Sequence, residues 1–225
     1  MRTQTKDIQT KLTPQKAFDI LVEGNKRFVG NLRVNRNLLQ QVNETSDAQY
    51  PFAIVLSCID SRTSAELIFD QGLGDVFSVR IAGNVLNEDI LGSMEFACQI
   101  AGSKLIVVLG HTRCGAVKGA CGHVELGHLT GLLGKIAPAI HTVEAANGRE
   151  LAPDTFVEQV AVENTRHQLR AILNRSSILQ NLFQEGKIGL VGGVYSVESG
   201  EVTFFEQRFN GTNADSEAVL TGVSA

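Results

Sequence analysis

The stretch SKLIVVLGHTRCG, residues 103–115, joins a short apolar run to a group of His, Arg and Cys side chains. The run is rich in Val, Ile and Leu, which is typical of a strand buried on both faces of a parallel sheet. Three more stretches share this pattern: PFAIVLS (51–57), DVFSVR (75–80) and GKIGLVGG (186–193). Together the four runs predict the strands of a parallel sheet.

Helical patterns lie between these runs, at about 63–70, 87–101 and 153–184. Strands that alternate with helices predict βαβ units. The stretch VTFFEQRF (202–209) follows a Ser-Gly turn and predicts an edge strand antiparallel to 187–191. We therefore predict an α/β fold, with a single domain built on a central, mainly parallel β-sheet flanked by helices.

The chain is expected to divide into an N-terminal helical arm, residues 1–50, and an α/β core, residues 51–225. Thr13 and Pro14 suit the N-cap and first turn of a helix. Residues 30–50 are rich in Asn and Gln and predict an extended arm or loop. An amphipathic helix followed by such an arm suggests packing on a partner subunit. Docking on its own domain is the alternative that the pattern leaves open.

The amino-acid composition excludes several classes of protein. The 225 residues carry a formal charge of −4, which argues against nucleic-acid binding through bulk charge. The hydrophobic content of 43% excludes disorder. No apolar run reaches the roughly 18 residues that span a bilayer, and the N-terminus lacks a signal-peptide core. Four cysteines are too sparse for a disulfide scaffold. We expect a cytoplasmic protein with reduced thiols and with no membrane or nucleic-acid partner.

Two motifs carry the chemistry, CIDSR (58–62) and HTRC (111–114), and each directly follows a predicted strand. In an open α/β sheet, ligands bind at the carboxyl ends of the strands. If the two strands are neighbours, Cys58, His111 and Cys114 converge. Two thiolates and one imidazole are a zinc-ligand set, and three protein ligands leave a position open for water, as in catalytic sites.

A structural zinc site is the first alternative to a catalytic one, with Cys121 or His123 as the fourth ligand. A redox or core-thiol role is the other. Asp60 and Arg62 favour catalysis, because a charged pair beside a ligand can orient a hydrogen-bond acceptor there. Cys98 and Cys121 are expected to be packing thiols.

The pattern C-x-D-S-R followed by G-H-x-x-C-G resembles the β-class carbonic anhydrases. The segments VRIAGNV (79–85), VENTRHQL (162–169) and GKIGLVGGVYSVESGEV (186–202) are also similar to that family, so the match covers about residues 14–208. The resemblance implies a zinc-dependent lyase that reversibly hydrates carbon dioxide to bicarbonate and a proton. It also implies one Zn²⁺ per chain and a homodimer, or a homotetramer built as a dimer of dimers.

The resemblance assigns roles to the motif residues. Cys58, His111 and Cys114 would hold the zinc, which lowers the pKa of a bound water to about 7. Asp60 would accept a hydrogen bond from the resulting hydroxide. Arg62 would keep Asp60 ionised through a charge-assisted pair. Asp60 could instead replace the water on zinc at low pH, which leaves two resting states open.

Five further residues would form the substrate site. Gln49 and the backbone N–H of Gly115 would donate to the oxygen that gains negative charge. Phe77, Ala82 and Phe96 would line an apolar pocket for carbon dioxide, with Phe77 coming from the partner subunit.

Two departures from family patterns are visible. A bacterial subgroup has a Trp three residues before the first zinc cysteine, as part of an inhibitory bicarbonate site, and here that residue is Val55. The chain contains no Trp, so we expect the plant-like subgroup, which lacks this site. Phe96 replaces a Tyr of some members and removes a hydroxyl.

A carbonyl sulfide or carbon disulfide hydrolase on the same scaffold is the nearest alternative activity.

Overall fold

The computed structural model describes residues 3–147 and 151–210. Its strands are β1 (Ala53–Ser57), β2 (Val76–Arg80), β3 (Leu105–His111), β4 (Gly189–Tyr195) and β5 (Val202–Arg208). They form one sheet in the order β2-β1-β3-β4-β5. The first four strands pair in parallel, and β5 pairs antiparallel with β4. This confirms the predicted α/β fold, including the antiparallel edge strand.

The helices in the described residues connect and cover the strands. They are α1 (Lys6–Lys11), α2 (Pro14–Val29), α3 (Leu38–Glu44), α4 (Ala65–Ile68), α5 (Glu88–Glu95), α6 (Gly115–Cys121), α7 (Gly127–Leu133), α8 (Ala137–Asn147), α9 (Pro153–Arg175) and α10 (Ser177–Gln184). Short 3₁₀ turns lie at Ala82–Asn84 and Gly134–Ile136, and a π-helical turn at Phe96–Ile100 follows α5. Within the described part of the chain, none of these helices has the length and apolarity to cross a bilayer.

The sheet is apolar on both faces, because β1 and β3 are buried along their whole length. One face packs against α2 and α4. The other is covered by α5, the π-helical turn, α9 and α10. A third apolar cluster lies beneath α6, α8 and α9 and includes Cys58 and Cys114. The predicted zinc ligands are therefore set within the core, where water has little access.

Helix α2 packs on its own domain. Ala17, Phe18 and Leu21 are buried in the same cluster as β1 and β3. The helix also lies close to the end of α4, since a Cβ built on Gly24 would overlap the carbonyl oxygen of Phe69. This arrangement is the alternative that the pattern left open for the helix. Packing of residues 1–50 on a partner subunit stays a prediction, as does the division at residue 51.

Two sequence-based expectations differ from the structure. The prediction of an extended arm over 30–50 was wrong for α3, which begins where Asn37 accepts a hydrogen bond from the N–H of Gln40. Local composition did not reveal this helix, because its anchor is the buried Gln41, whose side chain accepts from Leu73 N–H. The helical region 153–184 is two helices, since Ser176 ends α9 and caps α10. The end of the predicted core, from residue 211, lies outside the described residues.

The strand register brings the two motifs together. Ser57, the last residue of β1, pairs with Leu109 of β3. Cys58 therefore follows β1 at the level of the final residues of β3, where His111 lies. Because both strands point the same way, the two loops leave the sheet at its carboxyl edge, as the sequence predicts.

Candidate metal centre

Three buried side chains converge at this edge. Cys58 follows β1, His111 ends β3 and Cys114 immediately precedes α6. Their sulfur and ring-nitrogen atoms all lie within 4.8 Å of one another. A tetrahedral zinc site with bonds of about 2.0–2.3 Å separates its ligand atoms by roughly 3.5–4 Å. Small side-chain shifts would therefore close the trio around one ion.

The imidazole of His111 is oriented for a metal. Its Nδ1 lies 2.9 Å from the carbonyl oxygen of Thr112, which can only accept, so Nδ1 carries the proton. Its Nε2 is buried and has no hydrogen-bond partner among the described residues. A buried nitrogen lone pair beside two thiols is poorly satisfied by protein alone. The donor set fits Zn²⁺, for which thiolate and imidazole are the preferred ligands.

The environment favours a thiolate at Cys58. The hydrogen bond from the Cys114 side chain, above all, and the one from the backbone N–H of Gly83 lower the pKa of Cys58 well below its ordinary value, although burial opposes them. The pKa of Cys114 is raised by its hydrogen bond to Cys58 and by burial. A cysteine must be deprotonated to bind a metal. Cys58 therefore favours the thiolate before a cation binds, and Cys114 loses its proton when the cation binds.

Asp60 and Arg62 form a two-pronged ion pair beside the cluster. Arg62 donates from Nε to Oδ1 at 2.9 Å and from Nη2 to Oδ2 at 2.7 Å, and its backbone N–H donates to Oδ1 at 3.0 Å. The Arg62 guanidinium holds the pKa of Asp60 well below its usual range. The carboxylate is therefore an anion at neutral pH. It faces Arg62 and is not one of the three groups that form the ligand cluster.

Arg80 and Thr63, which the sequence analysis did not identify, hold the loop of Cys58 and Asp60 in place. Arg80 at the end of β2 donates to the carbonyl oxygens of Cys58, at 3.1 Å, and Asp60, at 2.6 Å. The hydroxyl of Thr63 bonds the same two carbonyl oxygens, at 3.0 and 2.9 Å. Arg80 lies in the family-like segment VRIAGNV, but only the register of β2 shows that it reaches the loop.

The loop from His111 to Cys114 is held in the same way. Thr112 N–H donates to the carbonyl oxygen of Tyr195 at 2.9 Å. Arg113 has a left-handed φ of 54°, and its N–H donates to a carboxylate oxygen of Glu158 at 2.7 Å. Glu158 lies on α9, far away in sequence, so no local pattern could have identified it.

The predicted substrate residues fall into two groups. Gly115 is the first residue of α6, and a Cβ built there would meet nothing within 4 Å. Ala82 precedes Gly83, whose N–H contacts Cys58. Both positions therefore adjoin the metal ligands. Gln49 is exposed on the segment before β1.

Phe77 and Phe96 lie elsewhere in the single chain. Their ring centroids are 6.2 Å apart. They line a cavity of about 670 Å³ with Ile54 and residues of α5, and none of the three ligands borders it. Phe77 pairs with Ile54, three residues before the carboxyl end of β1, which is roughly 10 Å along the strand. One chain therefore does not bring these rings to its own ligand cluster, and their substrate roles stay predictions.

The other two cysteines lie outside the cluster. Cys98 is buried against the sheet, which confirms its packing role, and burial raises its pKa to about 12. Cys121 is partly buried at the end of α6, and burial raises its pKa to about 11. In the part of the chain that the structure describes, neither Cys121 nor His123 joins the ligand group. The geometry thus does not support either as a fourth ligand.

Comparison with known proteins agrees with this geometry. A sequence model of the family described as carbonic anhydrase matches residues 53–202. Carbonic anhydrase 2 of Mycobacterium tuberculosis is 34% identical over 195 residues, covering 83% of this chain and 90% of that protein. A carbonic anhydrase of Mycolicibacterium smegmatis is 35% identical over 196 residues, covering 84% of this chain and 92% of that protein.

Solved structures show the same fold. The β-carbonic anhydrase CafA of Aspergillus fumigatus has a TM-score of 0.68 at 26% identity and covers 84% of this chain and 90% of its own. The β-carbonic anhydrase CcaA also has a TM-score of 0.68, at 28% identity, with 84% and 95% covered. The matched family model, the relatives and the shared fold confirm the expectation of an enzyme: the chain belongs to the β class of the carbonic anhydrase family.

Proposed function

We propose that the protein is a zinc-dependent enzyme that reversibly hydrates carbon dioxide to bicarbonate and a proton. One observation carries the proposal: the buried cluster of Cys58, His111 and Cys114 lies beside an ionised Asp60 held by Arg62. A purely structural metal site has no need for such a pair. Membership of the carbonic anhydrase family supports the same activity.

The cluster would hold one Zn²⁺ per chain through two sulfurs and Nε2 of His111. When bound there, Zn²⁺ supplies a nucleophile from water near neutral pH by lowering the pKa of that water. Three protein ligands would leave one position on the ion for a water molecule. The apolar cluster around Cys58 and Cys114 keeps bulk water away from the ligands and strengthens their electrostatic contacts.

Asp60 orients the attacking water. A carboxylate has about four acceptor positions, and Arg62 fills three of them. The remaining lone pair on Oδ2 accepts the O–H of the water, which turns a lone pair of the water oxygen toward the substrate carbon. Arg62 acts through Asp60, because it keeps the carboxylate ionised and therefore able only to accept.

The remaining roles concern the substrate. We propose that the Gly115 N–H and Gln49 donate to the oxygen that becomes negative, and that Ala82 borders the apolar pocket. Phe77 and Phe96 touch each other away from their own ligand cluster, so they would enter the site of a partner subunit. This favours a homodimer or a dimer of dimers. Two β-carbonic anhydrases of Sordaria macrospora are tetramers, and they share the fold.

The residue at position 55 bears on the subgroup of the enzyme. Val55 is fully buried in β1, so the position that carries Trp in the bicarbonate-regulated subgroup is filled by core packing here. We therefore favour the plant-like subgroup, with no bicarbonate switch. We also propose a cytoplasmic enzyme with reduced thiols.

Stopped-flow hydration of carbon dioxide across pH, with zinc measured on the same sample, tests the proposal. We expect about one zinc per chain and activity that rises toward alkaline pH. Fully zinc-loaded protein without activity at any pH would refute the function and leave the fold standing. Turnover of carbonyl sulfide or carbon disulfide well above that of carbon dioxide would favour the alternative hydrolase.

A further inference from the structure

Helix α9 carries two buried amide side chains one turn apart, Asn164 and Gln168. They are 0% and 3% exposed. Side chains of this kind are costly to bury unless their donors and acceptors are paired. They lie on the face of α9 that is turned toward the segment Ala82–Asn84, and their partners explain their burial.

The two amides form a hydrogen-bonded chain that ends at a metal ligand. Gln168 accepts from the N–H of Leu86 at 3.0 Å and donates to Oδ1 of Asn164 at 2.9 Å. Asn164 donates to the carbonyl oxygen of Gly83 at 2.8 Å. The N–H of Gly83 then donates to Sγ of Cys58 at 3.4 Å. Gly83 and Leu86 are thus both fixed by one helix.

Gly83 itself cannot hold this position by side-chain packing. Its φ is +70°, a left-handed conformation that favours glycine. A Cβ built there would lie 2.8 Å from Cδ1 of Ile136. The backbone must therefore be fixed through its polar groups, and Asn164 supplies the bond to its carbonyl oxygen.

We propose that Asn164 and Gln168 are positioning residues that hold the Gly83 N–H on the sulfur of Cys58 and so set the affinity of that thiolate for the metal. An N–H donor stabilises the charge on a thiolate and lowers the energy of its lone pair. Partners of this kind typically change metal affinity by 10- to 100-fold when removed. The inference rests on the proposed metal site but not on the hydration reaction.

The experiment compares Asn164→Leu with wild type in the full-length protein. Zinc affinity is measured by competition with a chelator, and the Co²⁺-substituted protein reports the sulfur-to-cobalt charge-transfer band. We expect affinity to fall by roughly 10- to 100-fold and the band to move to lower energy, because the sulfur loses its donor. Ile172→Ala is the matched control. It removes buried apolar volume from the same helix and should leave both readouts unchanged.

A folded Asn164→Leu variant with wild-type affinity and an unmoved band would overturn the proposal. If that variant does not fold, Gln168→Met tests it instead, since this change leaves the bond from Asn164 to Gly83 but loosens Asn164. We then expect a smaller shift in the same direction, and an unmoved band in folded Gln168→Met would refute the role. Failure of the wild type to bind zinc would refute the proposed function itself, whereas tight wild-type binding with unaltered variants would refute only the positioning role.

Discussion

Arg62 binds both carboxylate oxygens of Asp60, with Nε 2.9 Å from Oδ1 and Nη2 2.7 Å from Oδ2. The two residues are separated by one position in the chain, so the ion pair forms within a single loop. The guanidinium is largely exposed, whereas the carboxylate is partly covered. Asp60 is therefore the inner member of the pair, and Arg62 is its outer support.

Asp60→Asn should abolish most of the hydration activity without loss of metal. The amide places a donor where an acceptor is required, and it meets the donors of Arg62. We expect kcat/KM to fall by at least about 100-fold, the scale of a lost proton-handling group. Stopped-flow assays and metal analysis on one sample check this. Asp19→Asn, on the exposed face of α2, is the control. Full activity in Asp60→Asn would defeat the proposed role.

Cys121→Ser should retain about one zinc per chain, because Cys121 lies outside the ligand group. Cys114→Ser should lose most of the metal, since an alcohol is a poor zinc ligand beside a thiolate and an imidazole. Metal analysis after dialysis against a weak chelator separates the two variants. Zinc loss and unfolding in Cys121→Ser would instead support a structural zinc with four protein ligands.

Asp70→Asn should destabilise the protein in a pH-dependent way. Burial alone would raise the pKa of Asp70, but hydrogen bonds from Arg27 and Arg36 outweigh it and hold the pKa below its ordinary value. The unfolded chain therefore binds more protons than the folded one near pH 4. The stabilisation is complete at neutral pH and is lost as pH falls below about 4, through the folded pKa.

Urea unfolding of the metal-free protein at several pH values measures this effect. We expect Asp70→Asn to lose about 3 kcal/mol relative to wild type at pH 7, the scale of a broken buried ion pair, and a smaller difference below pH 4. Glu23→Gln removes an exposed pair with Lys26 and should change little at any pH. A constant difference for Asp70→Asn across this range would contradict the assignment.

Gly24→Ala tests whether α2 belongs to the core of its own chain. The added methyl group would overlap the backbone oxygen of Phe69, so α2 must move away from the end of α4, against which it packs. We expect a loss of about 3 kcal/mol in unfolding free energy, at the upper end for overpacking. Gly131→Ala in α7 meets nothing within 4 Å and should be neutral or stabilising by up to about 1 kcal/mol. Equal effects of the two changes would argue against docking of α2.

Local sequence was sufficient for the parallel sheet and for the ligand trio. The apolar runs are continuous because both faces of β1 and β3 are buried, and such runs are recognisable without any tertiary information. Cys58 and His111 could be paired because the carboxyl ends of neighbouring parallel strands meet at one edge. The side-chain types then restrict the metal to one that accepts sulfur and nitrogen.

Local sequence was insufficient wherever the partner is distant. The helix α3 depends on Gln41, which bonds Leu73 on another segment. Arg80 contacts the Cys58 loop only because β2 pairs with β1 in one register. Neither contact leaves a periodic pattern, since each is a single long-range hydrogen bond.

Amino-acid pattern alone was enough to predict the fold class, the three candidate ligands and the charged pair beside them, because each depends on neighbouring residues or on strand order. The folded chain was needed to show that α2 docks on its own sheet, that Phe77 and Phe96 lie away from their own ligand cluster, and that Asn164 reaches Gly83. These outcomes depend on where each helix packs against the sheet. That position is set by side-chain packing and by hydrogen bonds between residues far apart in the chain, which no local pattern encodes.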